Sequence, residues 1–134
     1  MKRKFLLLIS FISLVLLGGC FSNSSKENNS MNINPEIIEK ITVSTQMTNP
    51  KEDIIIKNEN FGDLINKLNS YSIKETKDEN EKGWQYLFKL EEKGGEIILI
   101  SFMDDKVHVN EKTYQVDGYD KDDFLYLFDK SSNK

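Results

Sequence analysis

Between Trp84 and Val116 the sequence alternates apolar and polar residues in four short segments, which leaves few folds open to the chain. Alternation with a period of two predicts β-strands that bury one face. Short turns separate the segments, so they predict an antiparallel meander of strands over residues 84–91, 96–103, 106–109 and 113–116. The second segment is apolar on both faces, and we expect it in the middle of the sheet with each side at least partly covered.

Two more strands and a helix are predicted before the meander. Alternation at Ile41, Val43, Thr45 and Met47 predicts a strand beginning near Ile37, and residues 53–57 form a short partner for it. Asn60 can cap a helix with apolar residues at i, i+3, i+4 and i+7, namely Phe61, Leu64, Ile65 and Leu68. Residues 75–83 are strongly charged and are predicted to form a loop.

The C-terminal residues predict a second helix. Asp120 can cap it, and it extends to about Asp129 with Phe124, Leu127 and Phe128 facing inward. Together these elements predict a small single α+β domain over residues 35–134. Its antiparallel sheet contains two N-terminal strands and the four-strand meander, and both helices pack on one face.

The N-terminus has the three parts of a secretory signal peptide. Residues 1–4 are basic apart from Met1, residues 5–17 are apolar apart from two serines, and two glycines follow. The apolar run is shorter than the about 20 residues that cross a bilayer comfortably. The single cysteine of the chain, Cys20, lies directly after the glycines.

Leu17-Gly18-Gly19-Cys20 resembles the lipobox of bacterial lipoprotein precursors. The resemblance implies transfer of a diacylglyceryl group to the Cys20 thiol, cleavage after Gly19, and in some hosts acylation of the new amino terminus. Residues 1–19 are then a lipoprotein signal peptide, and Cys20 holds the protein on the extracytoplasmic face of the cell membrane. Two acyl chains give stable anchoring, whereas one chain is marginal. Two alternatives to the lipobox are an ordinary secretory signal with a stray cysteine, or a single-pass membrane anchor.

Residues 20–34 connect this anchor to the predicted domain. After Cys20 they are mostly Ser and Asn with no apolar period, so they predict a flexible tether. Loss of residues 1–19 would leave 15 cationic and 22 anionic residues, a net charge of −7. Such an acidic chain lacks the basic surface that nucleic acids require, so no nucleic-acid partner is expected.

The sequence offers few residues for chemistry. One Cys and one His exclude disulfide frameworks, thiolate zinc sites and iron–sulfur clusters, and we expect no cofactor or metal. His108 lies between two valines of a predicted strand and is interpreted as an exposed strand residue. No Gly-x-Ser-x-Gly motif accompanies it, although a Ser-His-Asp triad remains open.

Two other groups of residues have both a functional and a structural interpretation. The acidic run at 117–123 does not fit a calcium loop, which places Asp or Asn at position three, Gly at six and Glu at twelve, where Tyr119, Asp122 and Phe128 stand. It is interpreted as the cap and first turn of the last helix. Trp84, Tyr86 and Phe88 could stack on a sugar or a base, but their period of two favours a core face.

These features favour a non-enzymatic lipoprotein that binds a protein, a peptide or a cell-wall component at the membrane surface. An alternative is an immunity-type lipoprotein that sequesters a cationic antimicrobial peptide, because an acidic surface attracts such peptides. A hydrolase with an unrecognised site is a third possibility. No specific family is identified for residues 35–134.

Overall fold

The computed structural model describes residues 29–48, 50–77 and 83–129. Over these ranges the chain forms one antiparallel sheet of seven strands and one α-helix, α1 (Phe61–Ser70). The strands are β1 (Ile38–Thr45), β2 (Glu52–Ile55), β3 (Ser72–Glu75), β4 (Tyr86–Glu92), β5 (Ile97–Met103), β6 (Lys106–Val109) and β7 (Lys112–Asp117). Their order in the sheet is β2-β1-β4-β5-β6-β7-β3. The α+β class is therefore shown, with more sheet and less helix than predicted.

Helix α1 joins the two edge strands of this sheet. It follows β2 and precedes β3, which lie at opposite edges, so the chain crosses the inner face of the sheet between them. The predicted apolar stripe is confirmed, because its four members are buried: Phe61, Leu64, Ile65 and Leu68. Asn60 lies at the predicted N-cap, but its side chain makes no capping hydrogen bond. A 3-10 turn at Asn58–Asn60 holds Asn60 in a helical conformation rather than the extended one that side-chain capping uses.

The predicted meander is confirmed, as is the pairing of the first two strands. β4, β5, β6 and β7 pair in succession, and β1 pairs with β2. Tyr86 and Phe88 are fully buried, so the core interpretation holds for both. Trp84 is half-buried and precedes β4. β5 is the central strand, and its inner residues Ile100 and Phe102 are fully buried, whereas Ile97 and Leu99 on the outer face are 47% and 44% exposed.

Strand β3 differs from the sequence-based prediction. The sequence predicts a loop for its last residue, Glu75, as part of the charged segment 75–83, whose residues 78–82 lie outside the described ranges. β3 has a single buried apolar residue, Ile73, and is held by antiparallel pairing with β7 far along the chain. No local periodicity signals such a strand.

The predicted second helix, Asp120–Asp129, is wrong. Turns over residues 121–124 lead into a short 3-10 helix, Leu125–Phe128. Tertiary hydrogen bonds occupy two carbonyls that an α-helix would use: the Lys67 ammonium group donates to Asp123, and the Tyr86 hydroxyl donates to Lys121 at 2.6 Å. The Leu125 and Leu127 amides donate to carbonyls three residues back instead. Phe124 and Phe128 are still buried, as predicted.

The predicted boundary between tether and domain at Pro35 is wrong, because residues 29–34 lie against the domain. Asn29 pairs with Ile73 of β3 through two backbone hydrogen bonds of 2.8 and 2.7 Å. Ile33 is buried, and the Asn69 side chain bonds both its N–H and its C=O at 2.8 Å. The packed part of the chain therefore extends at least to Asn29. Residues 20–28 lie outside the described ranges.

Candidate functional site

An open groove lies between the β2 edge of the sheet, the start of α1 and the C-terminal 3-10 helix. We call it the β2 groove, and its volume is about 480 Å³. Ten residues line it: Ile54, Ile55, Ile56, Lys57, Glu59, Asn60, Asp63, Leu64, Tyr126 and Leu127. Residues 54–64 supply two of the walls and Tyr126 and Leu127 supply the third, so the folded chain is needed to assemble this site.

The groove combines apolar walls with exposed apolar side chains. Ile56 and Leu64 are buried, and Ile54 and Leu127 are partly buried against the core. Ile55 is 67% exposed and Tyr126 is 51% exposed, which makes them the two most exposed large apolar residues in the described ranges. A surface of this kind has apolar area available for a ligand.

Strand β2 contributes main-chain groups as well as side chains. The Ile56 amide donates to the Ile41 carbonyl at 3.0 Å, next to the paired strands β1 and β2. Main-chain groups of successive strand residues point to alternate sides, so those of Ile54 also face β1. The N–H and C=O groups of Asp53 and Ile55 therefore point away from the sheet.

Charged side chains border the groove unevenly. Lys57, Glu59 and Asp63 line it, and Glu52 and Asp53 precede them on β2. Burial raises the pKa of the Tyr126 hydroxyl, and the nearby Asp63 carboxylate raises it further. The Lys67 ammonium group lies 5.1 Å from the centroid of the Tyr126 ring. The three charged residues that line the groove carry a net charge of −1, and Lys67 adds a positive charge beside the Tyr126 ring.

The C-terminal wall is fixed to the core by polar contacts on buried tyrosines. The Tyr71 hydroxyl donates to the Asp123 carboxylate at 2.8 Å, and the same carboxylate accepts from the Asp120 amide at 3.0 Å. Burial raises the pKa of Tyr71, and the bond to Asp123 and its charge raise it further. Burial, followed by nearby Asp carboxylates, raises the pKa of Tyr86 to about 12. These tyrosines therefore stay protonated and act as hydrogen-bond donors.

The residues considered at the sequence level lie away from this groove. His108 is half-buried on β6, and its Nδ1 lies 3.0 Å from the Thr113 hydroxyl oxygen. Its neighbours Val107 and Val109 point to the inner face, so His108 lies on the outer face of the sheet. In the acidic run, Asp120 accepts from the Asp122 amide at 2.8 Å, and Asp123 binds Tyr71.

Some sequence-level predictions cannot be located on this structure. Cys20 and the signal peptide lie outside the described ranges. Among residues 29–48, 50–77 and 83–129, no group of three or more His, Cys, Asp or Glu side chains could hold a metal ion. No helix in these ranges is long and apolar enough to cross a membrane.

The groove residues were missed at the sequence level. One available signal was the run Ile54-Ile55-Ile56, because a short strand that is apolar on both faces leaves one face unexplained. Comparison with protein-family models, with curated proteins and with solved structures finds no match to this chain.

Proposed function

We propose that this protein is a lipid-anchored lipoprotein of the extracytoplasmic membrane face that acts by binding a polypeptide segment in the β2 groove. The signal peptide features and the resemblance of Leu17-Gly18-Gly19-Cys20 to a lipobox support the anchor. The observation that carries the binding function is the groove itself, where the exposed Ile55 and Tyr126 border a space of about 480 Å³. The binding function requires no catalytic group.

The position of the groove suits a membrane-anchored binder. Ile33 bonds Asn69 in the last turn of α1, and Asn29 pairs with Ile73 on β3, which follows that end of the helix. The groove instead contains Asn60 and Asp63, which lie at the N-terminal end of α1. A helix of ten residues is about 15 Å long. Nine peptide units separate Cys20 from Asn29, so a lipid on Cys20 is within about 30 Å of Asn29. The anchor therefore attaches at the end of the helix that is remote from the groove.

The anchor is tested by Cys20→Ala in the native host, with a clickable fatty acid supplied in the medium. We expect the wild-type protein to carry the label and to fractionate with membranes. The variant should lose the label and either retain its signal peptide or appear in the medium. A variant that remains on the membrane at the mature mass would contradict lipid anchoring.

Binding in the groove is tested by photo-cross-linking on intact cells. A photoreactive amino acid replaces Asn60, which is exposed and lines the groove, or Glu111, which is exposed in the β6–β7 turn. We expect a polypeptide adduct at position 60 that is absent at position 111. Equal adducts at both positions, or none at position 60, would contradict a polypeptide partner in the groove.

A second candidate function is immunity to a cationic antimicrobial peptide. The observation that favours it is the anionic border of the groove, with Glu59 and Asp63 against Lys57. In that case deletion of the gene sensitises the host to the peptide, and the Glu59→Gln/Asp63→Asn double variant fails to restore resistance. Unchanged sensitivity to a panel of cationic peptides would reject this role and leave the anchored binding domain.

A further inference from the structure

The outer edge of β2 is a row of main-chain hydrogen-bonding groups. β2 is the first strand in the sheet order, so in the described part of the chain no strand pairs with this edge. Asp53 and Ile55 each direct one N–H and one C=O away from β1, as the bond between Ile56 and Ile41 requires. An extended peptide can satisfy such groups by adding to the sheet as a further strand.

The groove beside this edge provides a place for apolar side chains. Side chains of an added strand alternate between the two faces of the sheet. On the inner side they meet Ile54, Leu64 and Leu127, and on the outer side they lie beside the exposed Ile55. The main-chain groups of the edge therefore lie between an apolar surface on the inner side and the single exposed Ile55 on the outer side, as in peptide sites that use strand addition.

Charge selects among the possible occupants of this edge. Residues 51–67 carry four carboxylates, Glu52, Asp53, Glu59 and Asp63, against three lysines, Lys51, Lys57 and Lys67, so the anionic groups are in excess by one. A second copy of the same edge would bring like charges together, which protects edge strands against self-association. A peptide with Lys or Arg between apolar residues would instead complement this border.

We propose that the β2 groove binds an extended, cationic peptide segment whose backbone pairs with Asp53 and Ile55 at the outer edge of β2. This inference rests on the proposed function, since it names the chemistry and the binding mode of the polypeptide that the groove takes. The peptide inserts apolar side chains beside Ile54 and Leu127, and its cationic side chains lie near Glu59 and Asp63.

The test uses the full chain in a non-ionic detergent, with empty micelles as the blank. The probe is a fluorescent peptide of alternating lysine and valine, and binding is measured by anisotropy. We expect saturable binding that weakens as salt is added. A glutamate–valine peptide should bind at least about tenfold more weakly, because it places like charges against the border.

The main-chain contact is tested by Ile55→Pro, with Ile55→Ala as the matched control. Proline removes the N–H that faces the peptide and leaves the bonds to β1 intact, and edge strands tolerate it. The loss of one hydrogen bond should weaken binding about two- to twelvefold beyond the effect of alanine. Since proline can also perturb β2, a lysine–valine peptide with alternate amides methylated provides a second measurement on the unaltered protein.

The charge contact is tested by Glu59→Gln and Asp63→Asn, with Glu111→Gln as the control on a distant turn. Each groove variant should weaken binding about two- to fivefold at low salt, and the control should bind like the wild type. Equal binding of the glutamate–valine peptide would overturn the charge assignment. Binding that survives both Ile55→Pro and amide methylation would overturn strand addition.

Other occupants would give different results. Self-association that Ile55→Pro abolishes would assign the edge to a second copy and overturn the proposal. Markedly tighter binding by a chain ending at Asp129 would assign the groove to residues 130–134. Failure of the lysine–valine probe to bind would also overturn the proposal of a cationic peptide at the β2 edge. The cross-link at position 60 tests the proposed binding function separately. A cross-link with no probe binding would leave the binding function and reject this peptide chemistry.

Discussion

The Tyr86 hydroxyl donates a hydrogen bond to the main-chain carbonyl of Lys121, with 2.6 Å between the two oxygens. Tyr86 is fully buried on β4, and Lys121 lies in the segment that leads to the C-terminal 3-10 helix. In an α-helix this carbonyl would accept from the Leu125 amide, which bonds Asp122 instead at 3.2 Å. A side chain of the sheet thereby fixes the backbone of the segment that forms one wall of the β2 groove.

Tyr86→Phe removes this hydrogen bond and keeps the buried ring. We expect the free energy of unfolding to fall by about 1 kcal/mol, the usual net contribution of one such bond. Urea titration measures the loss. Tyr114→Phe is the control, because no partner for the Tyr114 hydroxyl occurs among the described residues, and it should change stability by less than half as much. Equal losses in the two variants would show that the Lys121 contact does not stabilise the domain.

Stability should fall as the pH rises above about 10. An unfolded tyrosine ionises near pH 10. Burial raises the pKa of Tyr86 to about 12 and raises that of Tyr71, so between these values the folded state retains protons that the unfolded state loses. Each such tyrosine lowers the free energy of unfolding by about 1.4 kcal/mol per pH unit. The stabilisation that each buried, protonated tyrosine gives to the folded state is fully present below about pH 10, and it is lost as the pH rises through the pKa of the folded state. Thermal melts between pH 9 and 12 measure this loss of stability. The stability of Tyr86→Phe should decline less steeply with pH than that of the wild type. Parallel curves for the two proteins would contradict the role of Tyr86.

Phe128 and Tyr126 should differ in their effect on stability. Phe128 is 8% exposed and its ring centroid lies 6.4 Å from that of Tyr86, whereas Tyr126 is 51% exposed in the groove. Phe128→Ala should cost about 3–5 kcal/mol because it removes a buried ring. Tyr126→Ala should cost well under half as much. Urea titration of both variants decides the point, and similar losses would mean that this segment does not present the two rings to opposite sides.

Asn69 should hold the N-terminal segment on the domain. Its amide bonds both main-chain groups of Ile33, so Asn69→Ala should cost about 1–3 kcal/mol. Asn66→Ala is a matched control for helix propensity, since Asn66 is an exposed residue of the same helix. Hydrogen exchange of the Ile33 amide gives a local readout. Unchanged protection of that amide in Asn69→Ala would contradict the contact.

Removal of residues 29–34 should also destabilise the domain. A chain that begins at Pro35 lacks the buried Ile33 and the strand-like pairing between Asn29 and Ile73. Burial of one isoleucine stabilises a protein by about 1.5–3 kcal/mol. We therefore expect a lower urea midpoint than for a chain that begins at Asn29. Identical midpoints would restore the prediction that the tether extends to Asn34.

Elements with a local hydrophobic period were predictable from the sequence. The spacing of Phe61, Leu64 and Leu68 already predicts the helix and its buried face, because the period is set by helix geometry. The alternation around Phe88 and Phe102 predicts the meander in the same way, since successive strand residues face opposite sides. The anchor at Cys20 is also a sequence-level prediction, carried by a short linear motif.

The elements that depend on distant contacts were decided by the tertiary structure. β3 is held by its pairing with β7, and no local sequence pattern predicts it. Residues 29–34 are held by hydrogen bonds to Asn69 and Ile73, and no local sequence pattern predicts these contacts either. The C-terminal segment has a helix-like sequence, but Lys67 and Tyr86 bind two of its carbonyls, and its Leu125 and Leu127 amides bond three residues back. The β2 groove arises in the same way, because Ile55, Asp63 and Tyr126 come together only when α1 and the C-terminal segment pack on the sheet. The hydrophobic period along the sequence determines which face of a helix or strand is buried. The partner of a hydrogen-bonding group that lies far away in sequence is determined only when the whole chain has folded.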